Sequence, residues 1–411
     1  MVKEELNFDL PEDIILQILC RLPVKSLIQF SCVSKRWHSI IISDPQFGKA
    51  HLKLASEQRS ITTRLILSIS PYVQLQTRVN LPLPIQSLEG LFGVNSSVTN
   101  LTLPSEEHCR IKILASCNGL VVLGNFYKEY LSIWNPSIGF FRKIPAPDLS
   151  SVTIKSRTIQ VDKYGFGYVS STDDYKLVLV VDIGSDDPVP APDVKIFIFS
   201  VRANSWKINE VSRWPFLEYR PTSDCGTLSN EAIHWVNRYY DYDYLEDSIE
   251  AVFDVCAFDL ENEEFRKVPV PCFNQDDDRV FDRRMRTVVH SGGCLCVLVQ
   301  TMHNRGGDRG DIELWMMRDY GVSNSWVKLY KLSKYDLPVP HTKSYGWQSW
   351  DLSLVTESGS IVIKFDNELL RIECRKEEKP VCVGRYRPEE VSGCYFFNAT
   401  GYDETLISVP E

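Results

Sequence analysis

The sequence predicts a mainly β protein with a small all-α module at its N-terminus. The β part is expected to be a β-propeller-like domain of about six four-stranded blades, the last closed by both ends of the chain. Residues 8–48 show helical spacing of apolar side chains, strand-like runs begin near residue 59, and a bulky aromatic recurs about every sixty residues. An irregular β-sandwich or an open, incomplete propeller is the alternative architecture.

Three short helices are predicted between residues 8 and 48, and together they carry a surplus of apolar surface. From residue 11 to 22, two apolar stripes lie side by side at i, i+4 spacing, one of them formed by Ile14, Ile18 and Leu22. A single stripe would be enough to dock a helix on its own domain. About forty residues in three helices cannot bury so much apolar surface by themselves, so the sequence predicts a partner for this module.

Prolines and short polar residues mark the expected helix ends. Pro11 suits the first turn of a helix, and Pro23 is expected to end the first helix because its ring clashes with the preceding turn. A second helix is expected over residues 24–30. The third is expected to begin after Ser34, as its N-cap, and to stop at Asp44-Pro45.

The string formed by residues 10–19, 21–27 and 32–37 resembles the F-box, most of all the plant version that precedes an F-box-associated domain. This resemblance implies that residues 1–50 bind the Skp adaptor of a cullin-RING ubiquitin ligase, the SCF complex. The adaptor-facing residues that it implies are Leu10, Pro11, Ile14, Leu22, Pro23, Val24, Lys25, Leu27, Val33 and Trp37. Some of these must instead hold the helices to one another. A helical cap packed on the chain's own β domain is the alternative for the module.

Residues 51–411 contain five predicted units of four short strands. In the first four units, an aromatic recurs near the start of the last strand; these residues are Phe141, Trp206, Phe265 and Trp326. Four antiparallel strands per unit, repeated around a ring, are typical of a propeller. The leftover strands at 61–69 and 72–79 are expected to pair with those at 394–398 and 403–408, which would close the ring and leave no open sheet edge.

Four segments of the β region resemble the F-box-associated domain of plants, which is kelch-like. They are residues 116–121, 134–137, 164–168 and 173–177. Together with the F-box, the resemblance covers nearly the whole chain. It implies a substrate receptor in which one end binds the ligase scaffold and the other recruits a target protein for ubiquitination and proteasomal degradation.

The long connections of the predicted blades all fall on one face, because they join strands 2 and 3 of a blade or lead to the next blade. Binding usually resides in such loops on a rigid scaffold. The segment 238–250 interleaves tyrosines with acids, which suits a basic partner and equally suits a solvated loop whose tyrosines fold back on the rim. The substrate-binding candidates are Tyr239, Tyr240, Tyr242, Tyr244 and Trp347.

Composition and motifs argue against several other classes of protein. The net charge of −9, with no basic stripe, predicts no nucleic-acid partner. No secretory signal or membrane span is visible, so we expect no membrane association and a location in the cytoplasm or nucleus. Because no catalytic motif or complete metal site is recognisable, we expect a non-catalytic protein without cofactor or metal. The alternative function is a small-molecule- or sugar-binding propeller with a helical tethering module.

Overall fold

The computed structural model of the protein describes residues 11–71, 85–89, 97–103, 111–125, 130–149, 159–183, 193–210, 225–243, 248–271, 282–302, 309–332, 350–356, 359–365, 368–373, 380–387 and 395–409. Its N-terminal helices are α1 (Glu12–Leu19), α2 (Val24–Phe30), α3 (Lys35–His38) with the π-helical turn Ser39–Ser43, and α4 (Pro45–Glu57). The three predicted helices are confirmed, and α4 is an addition to them.

The helix α4 begins where we expected the helical region to stop. Pro45 lies in its first turn, where a helix needs no N–H from proline. The backbone N–H of Gln46 donates a hydrogen bond of 2.9 Å to Asp44 Oδ1, which makes Asp44 the N-cap. The Asp-Pro pair therefore ends the third helical segment, as expected, and also starts a further helix. This helix, α4, continues past residue 50, the expected boundary of the module.

The β domain follows α4. Its described strands are β1 (Thr63–Pro71), β2 (Ile85–Glu89), β3 (Ser97–Leu101), β4 (Lys112–Cys117), β5 (Leu120–Asn125), β6 (Tyr130–Asn135), β7 (Phe140–Ile144), β8 (Ile159–Val169), β9 (Asp174–Ile183), β10 (Asp193–Ser200), β11 (Ser205–Glu210), β12 (Thr227–Ser229), β13 (Ala232–Asp243), β14 (Ser248–Asp259), β15 (Glu264–Val268), β16 (Asp282–Ser291), β17 (Cys294–Met302), β18 (Arg309–Met317), β19 (Trp326–Leu332), β20 (Trp350–Val355), β21 (Ile361–Phe365), β22 (Glu368–Glu373), β23 (Val381–Tyr386) and β24 (Tyr395–Asp403).

These strands form six four-stranded antiparallel sheets, and the predicted six-bladed propeller is confirmed. Five blades each use four consecutive strands: blade 1 (β4–β7), blade 2 (β8–β11), blade 3 (β12–β15), blade 4 (β16–β19) and blade 5 (β20–β23). The closing blade has the order β24-β1-β2-β3. The innermost strands contact one another in sequence from β4 through β8, β12, β16, β20 and β24 back to β4, so the ring is closed.

The closing blade differs from the expectation in how the two chain ends share it. Three of its strands come from the N-terminal side of the chain and a single strand from the C-terminal side, instead of two from each. Strand β24 pairs with β1 along its whole length, from Thr63 opposite Asp403 to Pro71 opposite Tyr395. The strand expected at 72–79 lies outside the described residues. Beyond Asp403 the chain leaves the sheet, and residues 404–409 take another role, described below.

The apolar cores of the propeller lie between neighbouring blades, and β9 shows why. Leu177 and Leu179 pack against blade 1, whereas Val178 and Val180 pack against blade 3. Successive side chains of a strand point to opposite faces of its sheet, and both faces of a blade are covered by its neighbours. The central strands are therefore apolar on both faces instead of alternately apolar and polar.

Two of the recurring aromatics, Trp206 and Trp326, each join their own blade to the one before it. The indole N–H of Trp206 in blade 2 donates a hydrogen bond of 2.8 Å to the carbonyl of Pro145, which follows blade 1. The indole N–H of Trp326 in blade 4 makes the same 2.8 Å bond to the carbonyl of Pro269, which follows blade 3. The aromatic repeat thus reflects a repeated contact between neighbouring blades.

A buried histidine joins blades 3 and 4 through a chain of hydrogen bonds. His234 Nε2 lies 2.6 Å from the hydroxyl of Tyr320, which also accepts a 2.9 Å bond from Arg266 Nη2. His234 Nδ1 lies 3.3 Å from the carbonyl of Thr227. A neutral ring satisfies both contacts if Tyr320 donates to Nε2 and Nδ1–H donates to the carbonyl. Burial lowers the pKa of His234 from 6.5 to about 4, in keeping with a neutral ring.

Candidate functional site: two opposite faces of the propeller

The helical module exposes large apolar side chains. Ile14 and Ile18 on α1 are 41% and 49% exposed, and Phe30 and Val33, at and just after the end of α2, are 36% and 66% exposed. The ring of Trp37 packs edge-on against Phe30 at 5.8 Å. An exposed set of this size within one short module is unusual for a surface without a partner.

Local sequence signals fix the orientation of the short helices around this surface. The backbone N–H of Trp37 donates a 3.1 Å hydrogen bond to Ser34 Oγ, so the predicted N-cap of α3 is confirmed. Arg36 Nη2 lies 2.9 Å from Glu12 Oε1 and joins α3 to the start of α1. The first helix ends at Leu19, before Pro23, and Pro23 is instead the N-cap of α2.

The structure divides the adaptor-facing residues that the resemblance implied. Val24 and Leu27, 5% and 0% exposed, lie in the core of the module with Leu19, Ile41 and Phe47. We therefore assign these two to internal packing instead of to an adaptor. The exposed members are Pro11, Ile14, Pro23, Lys25 and Val33, the half-buried ones are Leu22 and Trp37, and Leu10 lies outside the described residues. For the exposed and half-buried members, adaptor binding stays a prediction.

The module sits on the face of the propeller that carries the short turns. In a blade of antiparallel strands, the 1–2 and 3–4 turns share one end, and the other connections share the opposite end. Ile138, in the 3–4 turn of blade 1, packs against the core of the module. Lys49 on α4 bonds to both carboxylate oxygens of Asp173, in the 1–2 turn of blade 2, at 2.6 and 2.8 Å. The module thus contacts the turns at this end of two neighbouring blades.

Residues 404–409, hereafter the C-terminal strap, run between the module and the propeller. Leu406 is 2% exposed and belongs to the core of the module, whereas Ile407 and Val409 belong to the core between blades 1 and 2. Asn135, fully buried at the end of β6, donates from Nδ2 to the carbonyls of Thr405 and Ile407 at 3.1 and 2.9 Å. This asparagine lies in the segment 134–137, and its role was not predicted from the sequence.

Three segments that resemble the F-box-associated domain converge beneath the module. Asn118 Nδ2 donates a 3.1 Å bond to the hydroxyl of Tyr175, and the Tyr175 ring lies 4.9 Å from that of Tyr168. The Tyr168 hydroxyl donates to Asp173 at 2.8 Å, so Asp173 joins this cluster to Lys49. The hydrogen bond from Lys49 lowers the pKa of Asp173, and burial raises the pKa of Tyr168 to about 12. These motifs form the part of the propeller surface on which the module packs.

The opposite face carries the long connections, and one of them is a ribbon where we expected a loop. Strands β13 and β14 stay paired up to Asp243 opposite Ser248. Their neighbours stop earlier, since β12 pairs only to His234 on β13 and β15 only to Val255 on β14. Beyond those pairs, β13 and β14 form a two-stranded ribbon among the described residues.

The expectation of a loop at 238–250 was wrong, because residues 238–243 and 248–250 belong to paired strands. The backbone register places Tyr239 opposite Val252 and Tyr242 opposite Ile249. Of the substrate-binding candidates, Tyr239, Tyr240 and Tyr242 lie on the ribbon's backbone ladder, whereas Tyr244 and Trp347 lie outside the described residues. Substrate binding by any of them stays a prediction.

Two features are absent from the residues that the structure describes. No group of three or more His, Cys, Asp or Glu side chains in this portion of the chain is arranged to hold a metal ion. No described helix combines the length and apolar character needed to cross a membrane.

Asp259, an acidic residue at the end of β14, has a structural role. Its side chain accepts hydrogen bonds from the backbone N–H groups of Glu261 and Asn262 at 3.0 and 2.9 Å and so caps the turn that follows.

A helical module seated on a closed six-bladed propeller defines a two-domain architecture, and comparison with known proteins gives its family. The F-box domain matches residues 8–47, and the F-box associated beta propeller domain matches residues 71–385. The chain belongs to the F-box proteins with an F-box associated beta propeller domain.

Curated relatives from Arabidopsis thaliana agree with this assignment. F-box protein CPR1 is 28% identical over 340 residues, which are 79% of this chain and 73% of that protein. F-box/kelch-repeat protein At3g23880 is 25% identical over 412 residues, which are 97% of this chain and 96% of that protein. The similarity therefore extends over both the helical module and the propeller.

Proposed function

We propose that this protein is the substrate-recognition subunit of an SCF ubiquitin ligase. Its F-box binds a Skp-type adaptor, and its propeller recruits a protein for ubiquitination and proteasomal degradation. The observation that carries the proposal is the exposed apolar set of Ile14, Ile18, Phe30 and Val33 on a module of the F-box family. This set supports a partner for the module, because the chain's own propeller contacts other regions of the module and leaves these side chains exposed.

The two faces of the propeller suit this function. The helical module occupies the short-turn face, and the long connections with the ribbon emerge from the opposite face. A protein bound there would be held near a ubiquitin-loaded enzyme, which raises the effective concentration of its lysines without chemistry by the receptor itself. The receptor is therefore proposed to be non-catalytic, and to act in the cytoplasm or nucleus.

Replacing Ile14 by glutamate should weaken adaptor binding by about tenfold to a hundredfold. Burying a large apolar side chain contributes about 1.5–3 kcal/mol, and a buried unpaired charge would cost more. Glutamate in the first turn of α1 is compatible with the helix dipole, so α1 should remain folded. The measurement is a binding titration of purified full-length protein with a Skp adaptor.

The matched control is Val383→Glu. Val383 on β23 is 41% exposed, the same fraction as Ile14, but it lies on the propeller. This control should bind the adaptor as the unmodified protein does. If Ile14→Glu and its control bind equally well, the apolar surface of the module is not the adaptor site and the proposal fails.

Shortening the ribbon should reduce substrate capture and leave adaptor binding within about twofold. Joining Arg238 to Phe253, which lie opposite each other, through an Asn-Gly turn removes the outer ribbon and keeps a two-residue hairpin. The measurement is proximity labelling in cells with the ligase blocked, compared with the unmodified protein. Equal loss of substrate capture and adaptor binding would mean that the ribbon is needed for folding and would contradict its role in recognition.

A further inference from the structure

We propose that the C-terminal strap sets the angle of the F-box on the propeller, and that Leu406 is a positioning residue for ubiquitin transfer. This inference rests on the proposed function. It adds that the strap decides which lysines of a bound protein reach the ubiquitin-loaded enzyme. Three sets of contacts in the described chain carry it.

The first set is apolar, and it places the strap in both cores at once. Leu406 packs with Leu19, Leu27 and Phe47 of the module, and it is the propeller's one fully buried contribution to that cluster in the described residues. Ile407, next in the chain, points the other way and packs between blades 1 and 2. Neither domain can tilt about the strap without opening one of these cores.

The second set is polar and holds the strap in one register. Asn135 Nδ2 bonds to the carbonyls on both sides of Leu406, those of Thr405 and Ile407. Thr405 Oγ1 donates a 2.8 Å bond to the carbonyl of Asn118, and Asn135 and Thr405 are 0% and 1% exposed. These bonds replace the strand pairing that ends at Asp403, and they act on a segment that has left the sheet.

The third set fixes α4 and the linker after it. At Gly48, an added Cβ would lie 2.8 Å from the Leu406 carbonyl, so the helix packs directly on the backbone of the strap. The linker from α4 to β1 is tied as well, since Glu404 N–H donates a 2.8 Å bond to the Thr62 carbonyl. Arg64 lies 2.6 Å from the carboxylate of the same Glu404. The strap, the helix and the linker therefore form one rigid joint.

A rigid joint has a consequence for transfer. A neutral lysine amine of the substrate attacks the thioester carbonyl carbon of ubiquitin on the carrier enzyme. The new C–N isopeptide bond forms as the C–S bond breaks, and the amine's proton goes to the leaving thiolate. The attack requires the amine within near-contact distance of the carbonyl carbon. With a fixed angle between F-box and propeller, only lysines in a narrow zone meet this requirement.

The test compares Leu406→Ala, which empties the contact, with Leu406→Met, which keeps its volume. Spin labels on non-canonical amino acids at the exposed positions Gln29 on α2 and Val322 on the propeller report the angle between the domains as a distance distribution. We expect a single narrow distribution for the unmodified chain and for Leu406→Met, and a distribution at least about twofold broader for Leu406→Ala. An unchanged distribution in a folded Leu406→Ala protein would overturn the proposal.

The same variants are then assayed in a reconstituted ligase, with the receptor's own propeller lysines as acceptors. We expect Leu406→Ala to bind the adaptor within about twofold of the unmodified chain and to modify additional lysines, with Leu406→Met restoring the original set. An identical set of modified lysines with a broadened distance distribution would overturn the positioning role. Failure of the unmodified chain to bind the adaptor would overturn the proposed function, while the distance measurement would still test the joint.

If Leu406→Ala does not fold, Gly48→Ala provides the second variant. Its methyl group would press on the Leu406 carbonyl from the side of α4 and leave the core residues in place. We expect a shifted or broadened distance distribution for this variant. Lys53→Ala, an exposed position on the same helix, is its control and should keep the narrow distribution.

Discussion

Replacing Gly119 by alanine is expected to lower the free energy of unfolding by about 3 kcal/mol or more. Gly119 has φ +81° in the turn between β4 and β5, a conformation that costs any other residue energy. The added Cβ would also lie 2.2 Å from Thr405 Oγ1 and 2.7 Å from the Asp403 carbonyl. Either the turn or the start of the C-terminal strap must move, so the strap and the module should loosen together.

Gly139→Ala separates the two causes. Gly139 has φ +70° in the turn between β6 and β7, on the same face, and nothing lies within 4 Å of its added Cβ. Gly139→Ala should therefore lower the free energy of unfolding only through the strained backbone conformation, by about 1 kcal/mol. The measurement is chemical denaturation of both variants and the unmodified chain. Equal losses for Gly119→Ala and Gly139→Ala would show that the close approach of the strap adds nothing.

Acid should destabilise the propeller through His234. Burial lowers the pKa of His234 to about 4 from 6.5, so below pH 6.5 the unfolded chain binds a proton that the folded chain does not. The stability that comes from a neutral His234 is fully present above pH 6.5 and is lost as the pH falls towards 4. The free energy of unfolding should fall by about 3 kcal/mol over this range. The physical reason is that a protonated His234 ring cannot accept the hydrogen bond from the Tyr320 hydroxyl. The positive ring would also be repelled by the Arg266 guanidinium, which bonds to the same hydroxyl.

The measurement is the free energy of unfolding from pH 7.5 to 4 for the unmodified chain and for His234→Gln. Glutamine does not titrate, so its curve should be flatter over this range, even if its stability at pH 7 is lower. His290, 3.1 Å from Ser229 Oγ, also has a pKa lowered by burial and accounts for some of the slope. An unaltered slope in His234→Gln would contradict the assignment.

Much of the fold follows from local patterns along the chain. Helical spacing from Pro11, the N-cap at Ser34 and the recurrence of Trp206 and Trp326 were enough to predict the first three helices, the blades and the number of blades. These signals are short-range, because a helix face, a cap and a strand end are each set by neighbours a few residues away. The same locality explains why α4 was not predicted: Asp44-Pro45 fits the end of one helix and the start of the next equally well.

The candidate site was only partly predictable. Two apolar stripes in residues 11–22 showed that the module needs a partner, but could not tell Ile14, which is exposed, from Leu19, which is buried. Which stripe is buried depends on what packs against it. One of the residues that packs against the module is Leu406, from the far end of the chain. In the same way, the alternation of tyrosines and acids in residues 238–243 fitted a loop until pairing with β14 was known.

By itself, the sequence determined three short helices whose residues resemble an F-box, followed by a ring of four-stranded blades. The helices and the blades follow from periodicities along the chain, which need no knowledge of distant residues. Only the tertiary structure decided that α4 and residues 404–409 join the two domains, that Asn135 and Gly119 serve this joint, and that the module lies opposite the long connections. The physical reason is that each of these contacts links residues far apart in sequence, where burial and close approach, and not local propensity, select the side chain.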